Sequence, residues 1–131
     1  MAKVSIIMGI YNCAPTLPEA IDSILAQTFS DWQLVLCDDG STDDTYAVAK
    51  SYLEKYPEKI ILLQNASNMG LNHTLNRCLE AANGDYVARM DGDDISLPTR
   101  LEKEVAFLDA HLEYAIVSAP MIFFDENGDW G

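Results

Sequence analysis

Aspartate is concentrated at two places in this chain, Asp38-Asp39-Gly40-Ser41-Thr42-Asp43-Asp44 and Asp91-Gly92-Asp93-Asp94. Ionised carboxylates about 5 Å apart repel by roughly 3 kcal/mol at an effective dielectric of about 20, so such clusters suggest a compensating cation. Asp91 and Asp93 stand two residues apart. In extended backbone they project to the same side, with roots roughly 6 to 7 Å apart, and can converge on one ion. An oxygen-only donor set selects hard divalent cations, Mn2+ or Mg2+, and Mg2+ is commonly held by one or two carboxylates together with substrate phosphates.

The same residues also have a plainer reading as turns and helix caps, because Asp-Gly-Ser-Thr is ordinary turn chemistry. An EF-hand reading sets Asp91, Asp93 and Glu102 at the first, third and twelfth positions of that loop. It fails at Ile95, which offers no side-chain oxygen, and at Ser96, where glycine is required. In the first cluster the chemical alternative is that Asp39 points into a cleft and accepts a hydrogen bond from a base edge such as the N3–H of uracil. Tyr11 could stack on a flat base or fill a rim. Gly9 and Gly70 allow close approach of backbone to a ligand or serve a turn, and Asn12 suits a turn or cap.

These residues need elements to position them. Val4 to Ile10 is a continuous apolar strand, and Thr16-Leu17-Pro18-Glu19 reads as a capping box that opens a helix with Leu17, Ala20, Ile21, Ile24 and Leu25 on one stripe. Trp32 to Cys37 predicts a second strand, ending at the first acidic cluster. Ser41 or Thr42 caps a helix over roughly Asp44 to Tyr56, closed by Pro57. Ile60 to Gln64 is a third strand, and a polar loop leads to a helix bearing Leu71, Leu75, Cys78, Leu79 and Ala82 that stops at Asn83-Gly84. Tyr86 to Met90 is a fourth strand, ending at the second acidic cluster. Ser96 and Pro98 suit the start of a helix with Leu101, Val105, Leu108 and Leu112 on its buried face. A fifth strand over Ala115 to Phe124 meets a turn at Asp125-Glu126-Asn127-Gly128. Such alternation predicts an α/β fold, a mostly parallel sheet with helices on both faces. In open sheets of this kind ligands bind beyond the carboxyl ends of the strands, where both acidic clusters and Gly9-Ile10-Tyr11-Asn12 fall.

With 131 residues and 49% hydrophobic content, the chain suits one domain over residues 1–131 with its own core. No apolar stretch is long enough to span a membrane, and Met1-Ala2-Lys3-Val4 runs into a strand without a signal-peptide pattern. Cys13, Cys37 and Cys78 lack metal-ligand spacing, and their odd number leaves a thiol unpaired, which suits a reducing compartment. The expectation is a soluble, cytoplasmic protein. A formal net charge of −13 with only eight Lys and Arg residues argues against nucleic acid as a partner. A phosphorylated ligand would need a metal to bridge it to this surface. Neither a G-x-G-x-x-G dinucleotide loop nor a G-x-x-x-x-G-K-[ST] phosphate loop occurs, and no Ser-His-Asp or Cys-His arrangement supports covalent catalysis.

Taken in order, Val4-Ser5-Ile6-Ile7-Met8-Gly9-Ile10-Tyr11-Asn12, Asp38-Asp39-Gly40-Ser41-Thr42-Asp43, Asn68-Met69-Gly70-Leu71-Asn72 with Asn76, and Gly84-Asp85-Tyr86-Val87-Ala88-Arg89-Met90-Asp91-Gly92-Asp93-Asp94 through Pro98-Arg100-Leu101-Glu102 resemble family 2 glycosyltransferases of the GT-A (Rossmann-like) fold. The resemblance implies an inverting enzyme that takes a sugar from a nucleotide-diphosphate donor, UDP-sugar favoured, to a glycan or lipid-linked acceptor in polysaccharide or O-antigen assembly. It implies that Tyr11 and the backbone near Gly9 meet the nucleobase, with Asn12, Gly70 and Asn72 at the same donor site. Asp39 would bind the base imide, Asp91 would sit by the ribose and the metal, and Asp93 would ligate Mn2+ or Mg2+. The family often has Pro where Gly9 stands. Its catalytic base and acceptor elements lie beyond Gly131, so the chain reads as a GT-A fold truncated after its donor-binding half. For the longer protein the same reading allows peripheral association with the inner face of the membrane, and self-association through apolar surface.

Three other readings compete. A sugar nucleotidyltransferase shares the architecture but should carry a Gly-rich basic loop after its first strand, where this chain has Gly9-Ile10-Tyr11-Asn12-Cys13. A receiver-type signalling domain uses clustered aspartates with Mg2+, but after strands one and three. A nucleotide-sugar-binding module without chemistry of its own differs from a transferase only in residues beyond Gly131.

Overall fold

The computed structural model describes residues 2–110 together with the backbone of Phe123–Asp125 and Gly128–Trp130. Four parallel strands, β1 (Val4–Ile10), β2 (Trp32–Asp38), β3 (Ile60–Gln64) and β4 (Tyr86–Arg89), form one sheet in the order β3-β2-β1-β4. Helices α1 (Leu17–Leu25), α2 (Thr45–Lys55), α3 (Leu71–Ala81) and α4 (Arg100–Ala110) follow the four strands in turn. Because β2 and β3 lie on one side of β1 and β4 on the other, the strand order reverses at β1. The crevice for a ligand in an open sheet opens at such a reversal.

Side chains alternate along each strand, so the two faces have separate cores. Val4, Ile6, Met8 and Ile10 of β1 join Trp32, Leu34 and Leu36 of β2 against Leu17, Ala20, Ile21 and Ile24 of α1, Ala49 of α2, and Leu101 and Val105 of α4. The opposite face buries Ile7, Val35 and Cys37 against Cys78 of α3, with Leu75 packed alongside. The β1–β2 register pairs Val4 with Trp32 and continues to Ile10 with Asp38, which sets Asp38 level with the last residue of β1 and Asp39 just past it.

The first four expected strands and the four expected helices are present, though Leu71 and Leu79 of the α3 stripe are exposed, and two helix starts differ. Thr16 precedes α1 without a side-chain capping bond, and its hydroxyl donates instead to the Gly92 carbonyl at 3.0 Å. Ahead of α2 it is Asp43 that accepts the Thr45 amide, at 2.9 Å, while Ser41 and Thr42 are engaged with Asp38 and Asn12. Short polar side chains choose among several nearby backbone and side-chain partners, so the sequence identifies a cap region more securely than the capping atom. Leu112 and most of the strand expected over Ala115 to Phe124 lie outside the described residues. Phe123–Asp125 (β5) pairs antiparallel with Gly128–Trp130 (β6), apart from the four-stranded sheet. Among the described residues no helix is long and apolar enough to cross a membrane.

Candidate functional site

At the carboxyl ends of β1 and β2 a cleft of about 220 Å³ is lined by Gly9, Ile10, Tyr11, Asp39, Asn68, Gly70, Leu71 and Thr74. Tyr11 is 46% exposed at its rim. A side chain at Gly9 would come within 3.2 Å of both Leu71 and Thr74, so glycine there keeps this part of the cleft open. The cleft thus brings together four of the residues expected from sequence: Gly9, Tyr11, Asp39 and Gly70.

Asp39 is 5% exposed and is held by the loop that precedes α3. Its Oδ1 accepts the Met69 amide at 2.7 Å and Nδ2 of Asn65 at 2.9 Å, and its Oδ2 accepts the Gly70 amide at 3.1 Å. Burial pushes the carboxyl upward, but these donors outweigh it and hold Asp39 below the ordinary aspartate value. The Thr74 hydroxyl adds to the groups that favour its charge, so Asp39 is a closely held, ionised acceptor bordering the cleft. Gly40, at φ +73°, makes this approach possible: a Cβ there would lie 2.6 Å from the Ser67 carbonyl carbon and 2.8 Å from the Asn68 amide. Neighbouring Asp38 is fully buried and turned into its own loop, where it accepts the Ser41 amide at 3.2 Å and the Ser41 hydroxyl.

Across β1, the turn Asp91-Gly92-Asp93-Asp94 gathers three carboxylates whose oxygens lie within 4.8 Å of one another. Asp91 is half-buried, whereas Asp93 and Asp94 face solvent. Arg89 approaches Asp91 at 3.5 Å, a solvated pair of small energetic weight. Sequence spacing picks out Asp91 and Asp93 but misses Asp94, because the turn, rather than an extended strand, brings the third carboxylate around. Its Oδ2 accepts the Asp91 amide at 3.0 Å. Three carboxylates and no nitrogen or sulfur suit a hard divalent cation.

The acidic turn does not line the Asp39 cleft. The segment Ile10–Cys13 lies between the two, hydrogen-bonded to the first and packed against the second. Asp39 donates its amide to the Ile10 carbonyl at 2.8 Å, and a side chain at Gly92 would strike Cys13 Sγ at 2.7 Å and Ile10 at 3.2 Å. Asn12, at φ +47°, accepts the Thr42 amide on its side-chain oxygen at 2.8 Å and gives its own amide to the Ser41 hydroxyl at 2.9 Å. It therefore ties the first loop to the second instead of facing the cleft. Asn72 is exposed on the first turn of α3 and lies outside the cleft lining. Sequence reasoning missed Asn65, Thr74 and Arg77, whose relation to Asp39 depends on how β3 and α3 dock. The three thiols are free, and burial raises each of them, Cys78 to about 12, so at neutral pH they are held in the protonated form.

The family model described as Glycosyl transferase family 2 matches residues 5–131. The chain is 56% identical over 126 residues to the provisionally named glycosyltransferase EpsE of Bacillus subtilis (strain 168), covering 96% of this chain and 45% of EpsE. It is 35% identical over 127 residues to the amylovoran biosynthesis glycosyltransferase AmsE of Erwinia amylovora, covering 95% of this chain and 47% of AmsE. The chain therefore spans just under half the length of these relatives. Among solved structures, S. aureus TarS 1-349 in complex with UDP-GlcNAc superimposes with a TM-score of 0.75 at 31% identity, over 84% of this chain and 32% of that one. The mannosyltransferase PcManGT from Pyrobaculum calidifontis, in complex with GDP-Man and Mn2+, gives a TM-score of 0.74 at 31% identity, over 81% of this chain and 32% of that one. These matches decide against the nucleotidyltransferase and receiver readings. With nearly its whole length matched and a parallel sheet like that of the GT-A glycosyltransferases, the chain belongs to glycosyl transferase family 2.

Proposed function

We propose that this chain is the donor-binding half of an inverting glycosyltransferase that uses a UDP-sugar and a divalent cation to extend a glycan or lipid-linked acceptor in extracellular polysaccharide assembly. The observation that carries the proposal is the buried, ionised Asp39 at the head of an open cleft, with the Asp91, Asp93 and Asp94 carboxylates on the far side of β1. Since β2 and β4 flank β1, the two acidic groups stand about two strand spacings, roughly 10 Å, apart. That separation suits a nucleotide laid across the end of β1 with its base at Asp39 and its diphosphate at the acidic turn.

An ionised acceptor at Asp39 suits the N3–H of uracil. Tyr11 supplies an exposed ring beside the same space, and Gly9 and Gly70 keep side chains out of it. Asp91, Asp93 and Asp94 would hold Mn2+ or Mg2+, which when bound would offset the charge of the departing diphosphate. Support for this reading comes from the UDP-GlcNAc bound by TarS, the GDP-Man and Mn2+ bound by PcManGT, and the amylovoran biosynthesis in the name of AmsE. A cytoplasmic site, at the inner membrane face where the acceptor is lipid-linked, fits a nucleotide-sugar donor.

Calorimetry of UDP binding with and without Mn2+ tests the proposal. Metal should strengthen binding, and Asp93→Ala should remove that gain. Metal-independent binding of UDP that Asp93→Ala leaves unchanged would overturn it.

A further inference from the structure

Asn65, 5% exposed just past β3, joins the end of β2 to α3 through one amide group. Its nitrogen donates to Asp39 Oδ1 at 2.9 Å and to the Thr74 hydroxyl at 3.0 Å. Its oxygen accepts Nη1 of Arg77 at 2.7 Å, and the Cys37 thiol makes a weak approach to that oxygen at 3.7 Å. Arg77 lies on α3 and is anchored by a further bond from Nη1 to the Gln64 carbonyl at 3.0 Å. The two ends of a side-chain amide are almost the same size and shape, so hydrogen-bond partners decide which way it faces. A guanidinium only donates, and an ionised carboxylate only accepts. Placed at opposite ends of Asn65, they permit one orientation. The flipped amide would set oxygen against carboxylate and NH2 against guanidinium.

We infer that Arg77 is a positioning residue for nucleobase recognition, fixing the Asp39 carboxylate through the Asn65 amide so that it is presented to the cleft as an acceptor. The inference rests on the reading of Asp39 as the group that accepts the base imide. Without Arg77 the Asn65 oxygen keeps only a weak thiol donor, so the amide orientation rests on Asp39 and Thr74 alone and the flipped form is less strongly opposed. In the flipped one Asp39 loses a donor, gains a repelling oxygen, and turns away from the base. Lysine at this position still donates and carries charge, so it should preserve the polarity of the chain of bonds.

The test compares UDP with CDP, because cytosine has no hydrogen at N3 to offer a carboxylate. Calorimetry on the full chain with saturating Mn2+ should show a preference for UDP. Arg77→Met should weaken UDP by about tenfold, the loss expected for a charge-linked buried hydrogen bond, while changing CDP by less than about twofold. Arg77→Lys should restore most of the preference. Arg77→Gln, whose own amide dictates no polarity, should behave like Arg77→Met and serves if that variant does not fold. Equal losses for UDP and CDP in the Met and Gln variants would reduce Arg77 to a structural role and overturn the inference, as would an undiminished preference. Asp39→Asn separates the two levels. If it abolishes the preference while the Arg77 variants do not, only the present inference falls; if it leaves the preference intact, the base reading falls and this inference with it.

Discussion

Burial would raise the Asp39 carboxyl, yet the amide donors of Met69, Asn65 and Gly70 hold it below its ordinary value, so folding favours its ionised form. The sign follows by linkage: this contribution to stability is full above the unfolded aspartate value of about 3.9 and is lost as pH falls through the depressed folded value. Thermal melts should show stability dropping below about pH 4, and Asp39→Asn should flatten part of that drop. The type and place of Asp39 are legible in the sequence, because a carboxylate directly after a buried strand has few solvated positions open to it. Its partners are not legible, since they arrive from a loop 26 to 31 residues further along. Asn12 shows the converse: of the alternatives the sequence leaves open, its positive φ and its bonds to the Ser41–Asp43 loop select the turn.

Elements were easier to read than the contacts between them. Apolar runs and helical stripes fix where β1 to β4 and their helices form, because burying those faces dominates any local preference. The joints depend on single glycines and hydroxyls whose partners are distant. Gly40 and Gly70 both have positive φ, but a side chain at Gly40 would enter the backbone of Ser67 and Asn68, whereas nothing lies within 4 Å of one at Gly70. Gly70→Ala should cost about 1–3 kcal/mol from backbone strain. Gly40→Ala should cost more, because strain and a backbone collision add, and denaturant midpoints of the two variants should rank them in that order.

For the molecule as a whole, a formal charge of −13 sets the terms on which an anionic ligand binds. Uridine carries no phosphate and should bind equally well in EDTA and in Mn2+. UDP should bind at least about tenfold more tightly in Mn2+, a difference of roughly 1.4 kcal/mol, and calorimetry under the two conditions reads it directly. Asp93→Ala should erase the difference for UDP without lowering the melting temperature, since Asp93 is exposed. The parallel α/β architecture follows from the order of apolar segments, but the reversal of strand order at β1 does not, because it depends on which edge of the sheet β4 joins. That reversal makes Ile10–Cys13 a keystone. Cys13 packs its sulfur against Gly92 on one bank and gives its amide to Thr45 on the other, where Asn12 also bonds, so the segment couples the two banks. Gly92→Ala should therefore be felt at Asp39, and paired substitutions on the two banks should depart from additivity.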